Sequence, residues 1–243
     1  MEKEAYKIMD DREEIHWWYL GRREILRKVI KKYLKNNMNI LDIGCGTGRN
    51  LALLQSFGKV KGIEYDESSV IKAQKKFPNI EIKKGELPNK LNLNKDEIFD
   101  LITLFDVLEH IEDDRKSLEI LYEYLSENGK LILTVPAFDF LWTKSDEVQF
   151  HKRRYRKKEL TNLLKNIGYK IEYSSYFNFF LFMPTVMGKI LMRFDKYYTV
   201  NKEMKMTNKY LNKILYFIFK SESYFIPKLK YPFGISVVIV AKK

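Results

Sequence analysis

Apolar residues along this chain fall into two rhythms. Over residues 1–36 they recur at mostly three- and four-residue spacing, as Ile8, Ile15, Trp18, Tyr19, Ile25, Leu26, Val29, Ile30 and Leu34. That spacing predicts helix. From Asn39 onward short apolar runs alternate with amphipathic segments. Strands are expected near 39–43, 59–64, 80–84, 99–104, 130–135, 169–174 and 234–241, and helices near 48–57, 67–76, 113–126 and 157–167. Such alternation predicts an α/β chain whose parallel sheet is covered on both faces. A segment that this alternation does not need, roughly 176–232, stands before the last strand. It opens on the apolar run Tyr176–Pro184 and closes on the amphipathic run Tyr210–Ile218. The chain divides into an N-terminal helical cap (1–36), a ligand-binding core (37–175), a hydrophobic helical insert (176–232) and the final core strand (233–243).

One stretch organises the core. Ile40, Leu41 and Ile43 enter a glycine-dense turn, Gly44–Cys45–Gly46–Thr47–Gly48, and Leu51–Ala52–Leu53–Leu54 leave it at helical spacing. This is strand, tight turn and helix start. Glycines there let the backbone take positive φ and approach a ligand, and a helix start offers free N–H groups. A dinucleotide loop has the pattern G-x-G-x-x-G, whose third glycine packs helix on strand. Here the glycines alternate, which suits a ligand with no pyrophosphate to cradle. A ligand-free turn and a nicotinamide site stay open on the turn alone. About twenty residues on, the run Val60–Glu64 ends a strand in a carboxylate, placed to accept two ribose hydroxyls.

The run Asp42–Ile43–Gly44–Cys45–Gly46–Thr47–Gly48 resembles the first motif of the class I S-adenosylmethionine (SAM) dependent methyltransferases. Lys84–Pro88, with Glu86 where the family usually has Asp, resembles the third motif. Phe99–His110 resembles the fourth and Gly129–Pro136 the fifth strand. The resemblance covers residues 39–175 and implies a doubly wound, mostly parallel seven-stranded sheet, the Rossmann-like methyltransferase fold. It implies SAM as cofactor and S-adenosylhomocysteine as product. Asp42, Gly44, Cys45, Gly46, Glu64, Tyr65, Glu86, Leu87 and Phe105 would hold SAM, with Arg22 on its carboxylate. The activity implied is methyl transfer to an oxygen, nitrogen or carbon nucleophile of a small or lipid-linked acceptor. A SAM-binding module without catalysis, or a nicotinamide-dependent oxidoreductase, is the alternative.

Composition narrows the setting. A chain of 243 residues, 45% hydrophobic and 31% charged, has the make-up of a globular domain with a sizeable core. One cysteine excludes a disulfide framework and a multi-cysteine zinc cluster. A cytoplasmic protein is expected, since the first fourteen residues hold no apolar run. The net charge of +12 points to an anionic partner. Nucleic acid is disfavoured because the one basic block, Lys152–Lys158, is short and no RNA-binding module accompanies it. An anionic membrane surface is the other candidate. The uncharged run Tyr173–Gly188 is shorter than the roughly 20 residues a spanning helix needs, yet its aromatics lie beside Lys189, Arg193 and Lys196, as in an interfacial segment. The oligomeric state is open.

Chemistry is expected at two further places. His16–Arg23 carries adjacent tryptophans, and as a lid it would place Trp18 and Tyr19 over cofactor or substrate. The long connection from Phe138 to Tyr155 is functional in character, with Trp142, Arg153, Arg154 and Tyr155 as acceptor-site candidates. An acceptor hydroxyl must lose a proton, so His110, just beyond the fourth strand, and His151 are the candidate bases. No metal site is expected.

Overall fold

In a computed structural model of the chain, residues 12–35, 37–194 and 207–243 are described. The expected helical stretch 1–11 and Lys196 lie outside them. Chain order gives α1 (Trp17–Tyr33), β1 (Met38–Ile43), α2 (Arg49–Leu54), β2 (Gly58–Glu64), α3 (Glu67–Lys76), β3 (Glu81–Lys84) and β4 (Phe99–Phe105). Then follow α4 (Asp114–Tyr124), β5 (Leu125–Pro136), α5 (Lys144–Val148), α6 (Lys157–Ile167), β6 (Lys170–Phe177), α7 (Phe182–Phe194), α8 (Lys209–Ser221) and β7 (Ser236–Lys242). The seven strands form one sheet in the order β3-β2-β1-β4-β5-β7-β6, with β7 antiparallel to both neighbours. The doubly wound, mostly parallel seven-stranded sheet expected from the sequence is present.

The local reasons are visible. In the centre of the sheet β4 buries all but one residue and β1 buries its last four, as strands covered on both faces must. Helices begin where a side chain takes an orphan amide. Asp66 accepts from Ser69 N at 2.8 Å, Asp113 from Lys116 N at 2.9 Å, and Asn208 from Leu211 N at 2.9 Å. The predicted turn at Asn128–Gly129 is a bulge inside β5: Asn128 has φ 71°, and the register against β4 jumps from Phe99↔Leu125 to Leu101↔Lys130.

Two expectations at the chain's ends change. Among the described residues a turn over 13–15 interrupts the expected helix, and α1 starts at Trp17, where the His16 ring accepts from Trp18 N. Gly21 is a contact point on it, because a Cβ there would lie 2.5 Å from Phe219 Cδ1 of α8. Trp17 packs edge-on against the same Phe219 ring, and Asn212 of α8 accepts from Trp17 N and donates to Ile15 O. The N-terminal cap and the insert thus pack on each other. Strand β6 also runs on through Phe177, which is fully buried and stacks on Phe219. The start of the apolar run is therefore core. Buried Glu222, just past α8, ties the insert down by accepting from Asn178 N at 2.7 Å and Phe180 N at 3.0 Å. No helix among the described residues is long and apolar enough to cross a membrane.

A side chain at position 21 has no room beside Phe219. Gly21→Val should cost about 1–3 kcal/mol by overpacking and lower the melting temperature by several degrees. A thermal melt indistinguishable from the parent protein would show that α1 and α8 are not closely packed.

Candidate active site

The loops at the carboxyl ends of β1, β2, β4 and β5 surround a cavity of about 880 Å³. It lies where β1 gives way to β4 in the sheet order, the place at which open α/β sheets take ligands. The cavity has a cofactor-like floor, a helical roof and a histidine-lined far end.

The floor begins at the glycine turn. Gly44, Gly46 and Gly48 have φ of 68°, 56° and 94°, so the alternating glycines are needed by the backbone itself. The first three amides of the turn, ahead of the helix start, are already paired. Gly44 N and Cys45 N both donate to the Ile63 carbonyl, and Gly46 N donates to Glu64 Oε2 at 2.8 Å. The other Glu64 oxygen accepts from Asp66 N. Glu64 therefore braces the turn as well as lining the cavity, and its oxygens keep lone pairs for a ligand. Burial raises its carboxyl above the usual range, against the two amide donors. Gly44, Cys45, Gly46, Tyr65, Glu86, Leu87 and Phe105 line the same floor. Asp42 does not. It is buried behind the turn, where Oδ1 accepts from Thr103 Oγ1 at 2.6 Å, and burial pushes its carboxyl up to about 7. Its place is one of support, not of contact with the cavity.

The roof is α1. Trp18, Tyr19 and Arg22 line the cavity, and the Arg22 guanidinium sits 4.6 Å from the Trp18 ring centroid. Arg22 is not an open carboxylate receptor, as expected from the sequence, because it is paired with Asp106 at the end of β4. Its Nε meets no partner among the described residues. Asp106 lies on the cavity wall, and its left-handed φ of 59° ends the strand.

The far end is built by the 3₁₀ turn Leu108–His110 and the loop after β5. His110 and His151 meet edge to face, with ring centroids 4.6 Å apart. His151 Nδ1 lies 2.8 Å from Asp146 Oδ1, while Arg154 holds the same carboxylate through Nε and Nη2. Burial alone would raise the Asp146 carboxyl, but His151 and Arg154 outweigh it and hold it well below the usual range. When the ring is neutral, an ionised Asp146 makes His151 Nδ1 the donor and leaves Nε2 as the acceptor. Burial, helped by His151, lowers His110 to about 3, so its ring is neutral. Glu109 is 1% exposed, Oε2 has no partner among the described residues, and burial pushes the carboxyl up to about 8. Glu109, His110 and His151 offer atoms of ligating type all within 4.8 Å of one another, a grouping that the expectation of no metal site did not foresee.

Of the loop candidates, Arg154 lines the cavity but is spent on Asp146 and the Ala137 carbonyl. Arg153, Tyr155 and Trp142 are not on its wall. Arg153 pairs with Asp114, and buried Tyr155 donates to Asp114 at 2.8 Å, so both serve to anchor the loop. The sequence reading missed Asp146 and Glu109. Asp146, five residues before His151 and eight before Arg154, carried the signal, as did the acidic partner in Glu109–His110.

Residues 17–174 match the family described as methyltransferase domain, and the chain belongs to it. Its fold is that of the class I SAM-dependent methyltransferases. It is 25% identical over 162 residues to a probable S-adenosylmethionine-dependent methyltransferase of Mycolicibacterium smegmatis, covering 65% of this chain and 62% of that protein. It is 26% identical over 137 residues to the ubiquinone/menaquinone biosynthesis C-methyltransferase of Campylobacter jejuni, covering 53% and 56%. The chain thus spans less than two thirds of either relative. The phosphoethanolamine N-methyltransferase 2 of Haemonchus contortus, solved in complex with SAM, has the same fold at 15% identity, with a TM-score of 0.58 over 88% of this chain and 51% of that one. Family membership sets aside the nicotinamide reading.

SAM is the cofactor of this class, and the cavity suits it. Glu64 lines the wall with oxygens able to accept a hydroxyl pair, Arg22 keeps an unpartnered Nε, and Leu87 and Phe105 offer apolar surface. The volume lies within the range of ligand sites, roughly 300–1,000 Å³.

Asp42 gives a pH signature. With its folded carboxyl raised to about 7, it favours folding at low pH and loses that contribution as pH rises toward 7. Asp42→Asn keeps an acceptor for Thr103 and does not ionise. Its melting temperature relative to the parent should therefore rise between pH 4.5 and pH 8. A difference that stays constant with pH would mean that Asp42 ionises as freely folded as unfolded.

Proposed function

We propose that this protein transfers the methyl group of SAM to a nucleophile on a small or lipid-linked acceptor held beside His110 and His151. The observation that carries this reading is the single cavity that joins Glu64 and the glycine turn to the Glu109–His110–His151 corner. When bound, SAM supplies a methyl group already activated on a sulfonium, so the protein's work is to position the acceptor and exclude water. Glu64 and the turn hold the nucleoside end. Trp18 and Tyr19 close the roof over it. The imidazole corner is where a hydroxyl acceptor is held and relieved of its proton.

The experiment compares two variants with the parent, using labelled SAM and a fractionated cell extract as the acceptor source. Glu64→Ala should weaken SAM binding about tenfold or more, since charged hydrogen bonds contribute roughly 1.5–3 kcal/mol each. His151→Ala should leave SAM affinity within a few-fold yet lower transfer about a hundredfold or more. Equal transfer by His151→Ala and parent would remove the acceptor site from this corner.

Lipid linkage is supported by the helices next to the cavity. Thr185 and Lys189 of α7 and Leu215 of α8 line it. The two helices expose Met187, Leu191, Tyr210, Ile214 and Phe217 to solvent, each more than half exposed. Exposed Lys209, Lys213, Lys228 and Lys230 stand near in the chain, so apolar insertion and attraction to anionic headgroups act together. Ile214 and Phe217 are surface residues, and changing both to Asp leaves the core intact. The parent should co-sediment with phosphatidylglycerol vesicles at low salt, and the double variant should stay in the supernatant. A parent that also stays in the supernatant would point to a water-soluble acceptor.

A further inference from the structure

We infer that Glu109, His110 and His151 form a binding site for a late first-row divalent cation of the zinc type. The inference rests on the methyltransferase reading and names a second cofactor for the same corner. Three observations converge.

The first is the donor set. Two imidazoles and one carboxylate lie with their ligand atoms within 4.8 Å of one another. This is the composition of three-ligand catalytic zinc sites, which keep a fourth position for water or substrate. The two histidines arrive from different segments, the turn after β4 and the loop after β5.

The second is the outer shell. A metal-bound histidine almost always gives its other ring nitrogen to a carboxylate or carbonyl, which fixes ring and tautomer. Both rings here are already held that way. His151 Nδ1 is committed to Asp146, itself locked by the two-point Arg154 pair, and His110 is hydrogen-bonded to the backbone of Gln149. Each ring is left with one nitrogen to offer.

The third is Glu109. Its side chain is 1% exposed and lines the cavity, and Oε2 meets no partner among the described residues. A buried carboxylate oxygen without a partner is costly, and a cation is the partner that suits it. Two nitrogen donors select against magnesium and calcium, which take oxygen ligands. A cation here opens toward the cavity, where its free position can take an acceptor oxygen and weaken that oxygen's hold on a proton.

The test uses the full chain stripped with EDTA, titrated with Zn²⁺ by calorimetry and with Co²⁺ followed by its visible absorption, with SAM affinity measured in parallel. One Zn²⁺ per chain is expected, with Co²⁺ bands that Zn²⁺ displaces. Glu109→Gln, His110→Asn and His151→Asn should each weaken Zn²⁺ at least tenfold while SAM affinity stays within a few-fold, which shows the variants folded. Uptake of no Zn²⁺, or equal uptake by parent and a triple variant, overturns the inference. So does Mg²⁺ binding in place of Zn²⁺. SAM binding and methyl transfer at full rate after stripping, with no Zn²⁺ uptake, overturn the cation site alone and leave the methyltransferase standing. Zn²⁺ held by the three residues with transfer to no acceptor supports the cation site and sinks the acceptor reading.

Discussion

The pinning of the β1 turn to the end of β2 is the constraint on which the site depends. Three consecutive amides, from Gly44, Cys45 and Gly46, are taken by the Ile63 carbonyl and the Glu64 carboxylate. Buried amides must be paired, and here the pairing also fixes the path of the chain. It forces two left-handed glycines, brings the bare backbone to the cavity and keeps the Glu64 side chain facing it. One carboxylate is thus both a strut and a ligand-facing group. Removing it would loosen the wall it belongs to, so its effect on binding includes reorganisation as well as lost contacts.

Charge is distributed unevenly around the cavity, and burial is the reason. Asp146 is held ionised by His151 and Arg154, whereas Glu109, a few ångströms from the same histidines, is driven toward its neutral form by burial. Asp106 at the centre is answered by Arg22 from the roof. Groups with pKa values pushed apart within one site are what proton handling and ion binding require.

The sequence made the sheet and the cofactor wall legible because both are local. The Val60–Glu64 strand, the glycine turn and Phe105 each announce themselves within a few residues, and helices α3 and α6 have the boundaries that periodicity gave. What the sequence hid is what distant segments do to one another. Nothing near Gly21 in the sequence points to Phe219, almost two hundred positions later, which leaves it no room for a side chain. Tyr155 and Arg153 look like a substrate grip until Asp114 claims both. Arg22 looks like an anion receptor until Asp106 is found beside it. Glu109 and His151 stand in separate motifs, and only the crossing of two loops makes them neighbours. In each case the side-chain chemistry was readable and the partner was not.

The join between α1 and α8 bears on how the molecule comes into being. Trp17 N donates to Asn212 across 195 positions of sequence, and Gly21 fits only against Phe219. On the ribosome the roof helix emerges before the sheet, yet its docking surface emerges only after six of the seven strands. Strand β7 is later still, and it fills the gap between β5 and β6. Until then the glycine turn and Glu64 are left without their cover. The binding cleft is therefore closed only once α8 and β7 are made, and until then a nascent chain carries an uncovered aromatic helix.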